Sequence, residues 1–140
     1  MSIKESIEPP FLQIYDKVKL TNKRNEVYMN KKLNILWTSN NVDTARLMVF
    51  MYAINSIQKK WWDEVTIIIW GSSAKLVAEN SSIQEEIKRA QTSGVKVSAC
   101  IACATELNVV DILQDLDLEV ISWGKPLTEI IQNGEFLLSV

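Results

Sequence analysis

From residue 33 onward, short apolar runs alternate with longer amphipathic stretches. Residues 33–37 (LNILW) read as a strand. Residues 65–70 (VTIIIW) are β-branched and apolar at successive positions, as expected of a strand covered on both faces. Between them, residues 42–58 predict a helix entered through "TSNNVDT", whose Asn and Asp are candidate caps. "GSSAK" opens a further helix or turn that runs through Glu79. Residues 82–92 (SIQEEIKRAQT) predict a helix with a capping box from Ser82 to Glu85, closed by Gly94. A third strand is expected over 95–102, short helical pieces over 104–107 and 110–116, and a fourth strand over 118–123. Gly124 turns the chain, Pro126 suits the first turn of a helix over 127–132, and Gly134 stops it before a last short strand, 136–140.

This order predicts an α/β domain with a mostly parallel sheet of about five strands. In open sheets of this kind, sites lie beyond the carboxyl ends of the strands. Three segments should meet there: Thr38, Ser39 and Asn40 after the first strand, Gly71, Ser72, Ser73 and Lys75 after the second, and residues 100–103 after the third.

Residues 1–30 follow no helical or strand period and carry Pro9-Pro10 and a polar, basic stretch from Lys17 to Arg24. They read as an extension to a domain spanning 31–140, disordered or not native, with Met29 as a candidate start. The helix over 42–58 is also unusual. Its "LMVFMYAI" run is apolar around the whole circumference, whereas a helix on one side of a sheet needs one apolar face. The surplus predicts burial against something else, most simply a second copy of the chain, with Trp61 and Trp62 adding to the surface. The alternative cover is the N-terminal extension.

The chain is 47% apolar and 23% charged, which suits a globular domain rather than a disordered one. A net charge of −2 gives no strong pull on nucleic acid or a membrane surface. The longest apolar run, 47–54, is too short to span a bilayer. Two cysteines form no disulfide framework, so a reducing, cytoplasmic setting is expected. The chain has no histidine, which excludes Ser-His-Asp and Cys-His catalysis and zinc sites that need imidazole.

The remaining chemistry centres on "SACIACATELN", with Cys100 and Cys103 spaced C-x-x-C. The thiolate is the reactive form, and a helix N-terminus lowers a thiol's pKa. The junction of third strand and following helix puts one of the two cysteines there, with backbone N–H groups and Lys75 as the available activators. Four roles fit: a redox pair, half of a metal site shared between chains, a sulfur carrier, or two small buried side chains. "WGSSAK" offers backbone N–H groups, hydroxyls and Lys75 to an anion, although it lacks the spacing of a phosphate loop.

Three blocks, "IIIWGSSAKLVAE", "EEIKRAQTSGVKVSACIACATELNV" and "LEVISWGKPLTEII", together resemble the small DsrE/DsrF-like proteins of sulfur metabolism. "ILWTSNNVDTARLMVFMYAINS" and "WWDEVTIIIWG" extend the resemblance over about residues 33–140. It implies a flavodoxin-like three-layer sandwich and a homo-oligomer, commonly a homotrimer or homohexamer. In the sulfur-relay members, a cysteine after a strand of the Gly-Val-x-Val type accepts sulfur as a persulfide. Cys100 stands there, in "GVKVSACIA", and Cys103 is the additional cysteine of a C-x-x-C subset, in an assisting role. The implied function is a cysteine-based sulfur relay, a persulfide carrier or sulfurtransferase-like protein. It would need donor and acceptor proteins but no metal or organic cofactor. Two rival readings are a non-catalytic oligomeric binding module using the strand-end pocket, and a thiol–disulfide redox protein.

Overall fold

The structure, a computed structural model, describes residues 30–140. The expected extension, apart from Asn30, and the candidate start at Met29 lie outside the described residues. Residues Lys31–Val140 form one compact unit. Its elements are β1 (Lys32–Trp37), α1 (residues 42–58), β2 (Glu64–Ile69), α2 (Ser72–Glu79), α3 (Ser81–Thr92) and β3 (Lys96–Cys100). There follow α4 (Ile101–Glu106), α5 (Val110–Asp115), β4 (Glu119–Ile121), α6 (Gly124–Gln132) and β5 (Phe136–Ser139).

The five strands form one sheet in the order β4-β3-β2-β1-β5, and every neighbouring pair is parallel. The chain steps outward from β1 to β4, then crosses back to the opposite edge for β5. Crossovers of one hand place helices on one face for outward steps and on the other for the return. Accordingly, side chains of α1–α5 join Ile35, Trp37, Val65, Ile67, Ile69, Val97 and Ala99 in one core. On the other face Ile130 of α6 packs with Trp123, Ile68 and Cys100. The result is the three-layer α/β sandwich of the flavodoxin-like kind, with a single helix as its third layer.

The alternation of the strands sets these two faces. Register pairs Ile35 with Ile67, and Ile67 with Val97, on the first face. Cys100 pairs with Ile121 on the second. Within that second face Trp123 Nε1 donates to Ser98 Oγ at 2.7 Å, and Ser98 Oγ donates to the Glu119 carbonyl at 3.0 Å. At the opposite, amino ends of the strands, Glu64 bridges Lys32 (3.1 Å) and Lys96 (3.2 Å).

Helix α1 is continuous, but its middle turn, Ala45–Phe50, is π-helical between α-helical ends Val42–Thr44 and Met51–Gln58. Asn41 caps it, accepting the Thr44 N–H at 2.8 Å. Ala45, Val49 and Phe50 are buried, and Phe50 meets Trp37 edge-on with ring centroids 5.4 Å apart. The outer side leaves Leu47 64%, Met48 36% and Met51 48% exposed, so the apolar surplus read from the sequence lies outside the core.

Several boundaries differ from the sequence expectation: β4 stops at Ile121 rather than 123, and α6 starts at Gly124 rather than 127. Two further differences bear more on the site. The start of α3 is capped not by Ser82 but by Asn80, whose Oδ1 accepts the Ile83 N–H at 3.1 Å and the Ser82 hydroxyl at 2.7 Å. Ser82 thus supports the cap rather than forming a box with Glu85. And β3 ends at Cys100: Ile101 and Ala102, expected to continue the strand, open α4.

Candidate functional site

Loops at the carboxyl ends of β1, β2 and β3 meet, as an open parallel sheet requires. Hydrogen bonds tie the first two of them to each other and to the end of β5. Trp70 N–H donates to the Trp37 carbonyl at 3.0 Å. Ser73 Oγ donates to the Trp37 carbonyl at 2.6 Å and accepts the Trp70 N–H at 3.1 Å. Ser72 Oγ donates to the Thr38 carbonyl at 2.8 Å. Thr38 in turn donates through its N–H and its hydroxyl to the Val140 carbonyl, at 2.8 and 3.1 Å. Ser39 Oγ accepts the Asn41 N–H at 3.1 Å, at the entry to α1.

Beside this seam lies an open depression of about 400 Å³, lined by Gly71, Ser72, Ala102, Cys103, Glu106 and Leu107. Of the candidates read from the sequence, Gly71, Ser72 and Cys103 therefore come together. Ser73 is buried and its hydroxyl is engaged with backbone, so it acts as a brace for the loop. Thr38 and Ser39 stand in the hydrogen-bonded seam, and Asn40 is exposed at the entry to α1. Lys75 is exposed on α2 and is not among the lining residues. Glu106 and Leu107 were not foreseen. They follow Cys103 by three and four positions, the spacing that puts side chains on one helical face.

The two cysteines differ in exposure. Cys100 ends β3 in an extended conformation, is 3% exposed, and packs against Ile68, Trp123 and Ile130. Cys103 is half-buried one helical turn later, touches the same cluster, and opens onto the depression. Both thiols are free. The sequence led us to expect a lowered thiol pKa at this junction. For Cys103 the structure reverses that: burial pushes the thiol up, and the neighbouring Cys100 thiol adds to the push. The Gly71 N–H and the backbone N–H of Cys103 oppose them without prevailing.

Gly71 has φ 69° and ψ −135°, a conformation that L side chains rarely adopt. Gly71 lines the depression beside Cys103, while Ser72 and Ser73 tie to β1. Among the described residues no three His, Cys, Asp or Glu side chains gather in a metal-ligating group. No helix among them is long and apolar enough to cross a membrane.

No protein-family model matches the chain, and no curated protein matches it in sequence. Solved structures do match. MTH1491 from Methanobacterium thermoautotrophicum, a protein of unknown function, is 11% identical with a TM-score of 0.66, over 79% of this chain and 99% of that one. The ychN protein from E. coli is 13% identical with a TM-score of 0.59, over 80% of this chain and 100% of that one. Both are of the DsrE-like fold, and at these identities the likeness is one of fold alone. A third structure, the conserved protein of unknown function BT1422 from Bacteroides thetaiotaomicron, superposes with a TM-score of 0.77. With 44% identity to BT1422 over 79% of its own length and 96% of that chain, this protein belongs to the BT1422 family.

Proposed function

We propose that the protein is a cysteine-based sulfur carrier of the relay kind, with Cys100 and Cys103 as its centre. One observation carries the reading: two free thiols meet at the carboxyl edge of a parallel sheet, one buried and one opening onto a depression. A carrier needs a thiol that a donor can reach, and Cys103 on the depression supplies one. The DsrE-like fold of the structural neighbours supports the reading, as does the resemblance in the blocks around residues 71 and 100.

Self-association belongs to the same proposal. Leu47, Met48 and Met51 form an outward apolar stripe on α1, next to Arg46, Glu86 and Arg89. An apolar stripe flanked by both signs of charge can be covered by a second copy of itself. Native mass spectrometry reads the assembly directly: a monomer at micromolar concentration rejects this part of the proposal.

The carrier reading is tested by incubating the reduced protein with an organic persulfide and reading its intact mass. A gain of one sulfur, removed by reductant and mapped to the peptide holding residues 100–103, is expected. No gain, with both thiols slow to alkylate, favours a binding module without catalysis at the same strand ends.

A further inference from the structure

We infer that sulfur enters at Cys103 and that Cys100 then resolves it. When no acceptor takes the sulfur, the pair releases sulfide and closes as an intrachain disulfide. This rests on the carrier reading and names the order and fate that the site imposes. It also inverts the order suggested by the resemblance, in which Cys100 is loaded first.

The order follows from exposure. A donor arriving from solvent meets Cys103, which lines the depression, whereas Cys100 is 3% exposed beneath Ile68, Trp123 and Ile130. Gly71 lines the depression beside Cys103, and its N–H favours negative charge on that sulfur. Cys100 lies one turn behind, in the same apolar cluster. Cys100 is the extended residue that caps the start of α4 and Cys103 is the third residue of that helix, and the Cys100 thiol lies close enough to Cys103 to perturb it. A disulfide between them needs Cβ atoms about 3.5–4.5 Å apart.

The steps balance. In loading, Cys103 Sγ attacks the outer sulfur of R–S–SH; the S–S bond breaks, R–S⁻ leaves and takes the thiol proton, and Cys103–S–SH forms. In resolution, Cys100 Sγ attacks Cys103 Sγ; the bond to the outer sulfur breaks, and that sulfur leaves with the Cys100 proton as H₂S. Two electrons pass from the thiol pair to the transferred sulfur, and the cysteines end as a disulfide. A dithiol reductant returns them to thiols for the next cycle.

The test uses the full chain, reduced and desalted, with glutathione persulfide and no acceptor. The Cys100→Ser, Cys103→Ser double variant serves as blank. Released sulfide is measured together with free thiols by alkylation and mass. Wild type is expected to release one sulfide per chain and to lose both alkylatable thiols, which dithiothreitol restores. Cys100→Ser is expected to hold the added sulfur on Cys103 and to release no sulfide above the blank. Cys103→Ser is expected to load no faster than the blank. A wild type that keeps a stable persulfide with no sulfide release overturns the inference and leaves the carrier reading standing. So does a Cys103→Ser protein that loads like wild type. If no form acquires sulfur or releases sulfide above the blank, the carrier reading itself falls.

Discussion

Replacing Gly71 by Ala separates backbone strain from steric repulsion at the site. A Cβ built on Gly71 meets nothing within 4 Å, so the substitution has room. The backbone is the obstacle: φ 69° with ψ −135° lies close to a region that only glycine populates freely. Holding a non-glycine residue in such a conformation costs about 1–3 kcal/mol. With an m-value of about 1–3 kcal/mol/M, a loss of ~2 kcal/mol lowers the urea midpoint by roughly 1 M. Gly124 supplies the control. It opens α6, its φ is not positive, and a Cβ there also meets nothing within 4 Å. Gly124→Ala is expected to stabilise by about 0.4–1 kcal/mol, because it removes freedom from the unfolded chain without straining the fold. Urea unfolding followed by tryptophan fluorescence reads both. If the strained loop relaxes in Gly71→Ala, its amide turns from Cys103, and the Cys103 pKa rises further with slower alkylation at fixed pH. A Gly71→Ala protein as stable as wild type refutes the claim that this loop depends on glycine.

Four further outcomes follow from the same structure. The rate of Cys103 alkylation in the Cys100→Ser background is expected to rise with an inflection above that of an ordinary cysteine, since burial is the main cause of its shift; an inflection at or below the ordinary value sinks that account. By linkage, a raised thiol pKa contributes stability that is fully present below the unfolded cysteine's pKa and lost as pH rises through the folded one, so Cys103→Ser should narrow the stability difference between neutral and alkaline pH. Glu64 is held below the usual carboxylate range by its hydrogen bonds to Lys32 and Lys96, so its contribution is present above the unfolded carboxylate pKa and lost as pH falls through the folded one; Glu64→Gln and wild type should converge in acid and in high salt, and a gap that persists there contradicts the ion-pair assignment. Ser56 Oγ is buried with no hydrogen-bond partner among the described residues, so Ser56→Ala should leave the urea midpoint unchanged or raise it; a loss of stability of more than about 1 kcal/mol would mean the hydroxyl is bonded.

The sheet and its helices were legible because β2 carries a run of apolar residues on both faces, β1 an apolar stretch broken only by Asn34, and Gly94 and Gly134 marked stops. Less legible was anything set by contacts distant in sequence. Either Asn80 or Ser82 has the chemistry to cap α3. In the structure Asn80 takes the cap, with Ser82 donating to it from within the first turn. The hydroxyls of Ser72 and Ser73 looked available to a ligand because their partners, the carbonyls of Thr38 and Trp37, lie about one βα unit away. The third strand carried the largest consequence. Read as strand, residues 95–102 leave the relation of Cys100 to Cys103 unset, since odd spacing on a strand sends side chains to opposite faces. The partner strand β4 has only 3 residues and ends opposite Cys100, so nothing remains for Ile101 to pair with. The chain turns into α4 at that point, and a spacing of three that would separate two cysteines on a strand brings them to the same side of a helical turn. The site therefore depends on β3 ending at Cys100: a strand continued through Cys103 would send the two side chains to opposite faces.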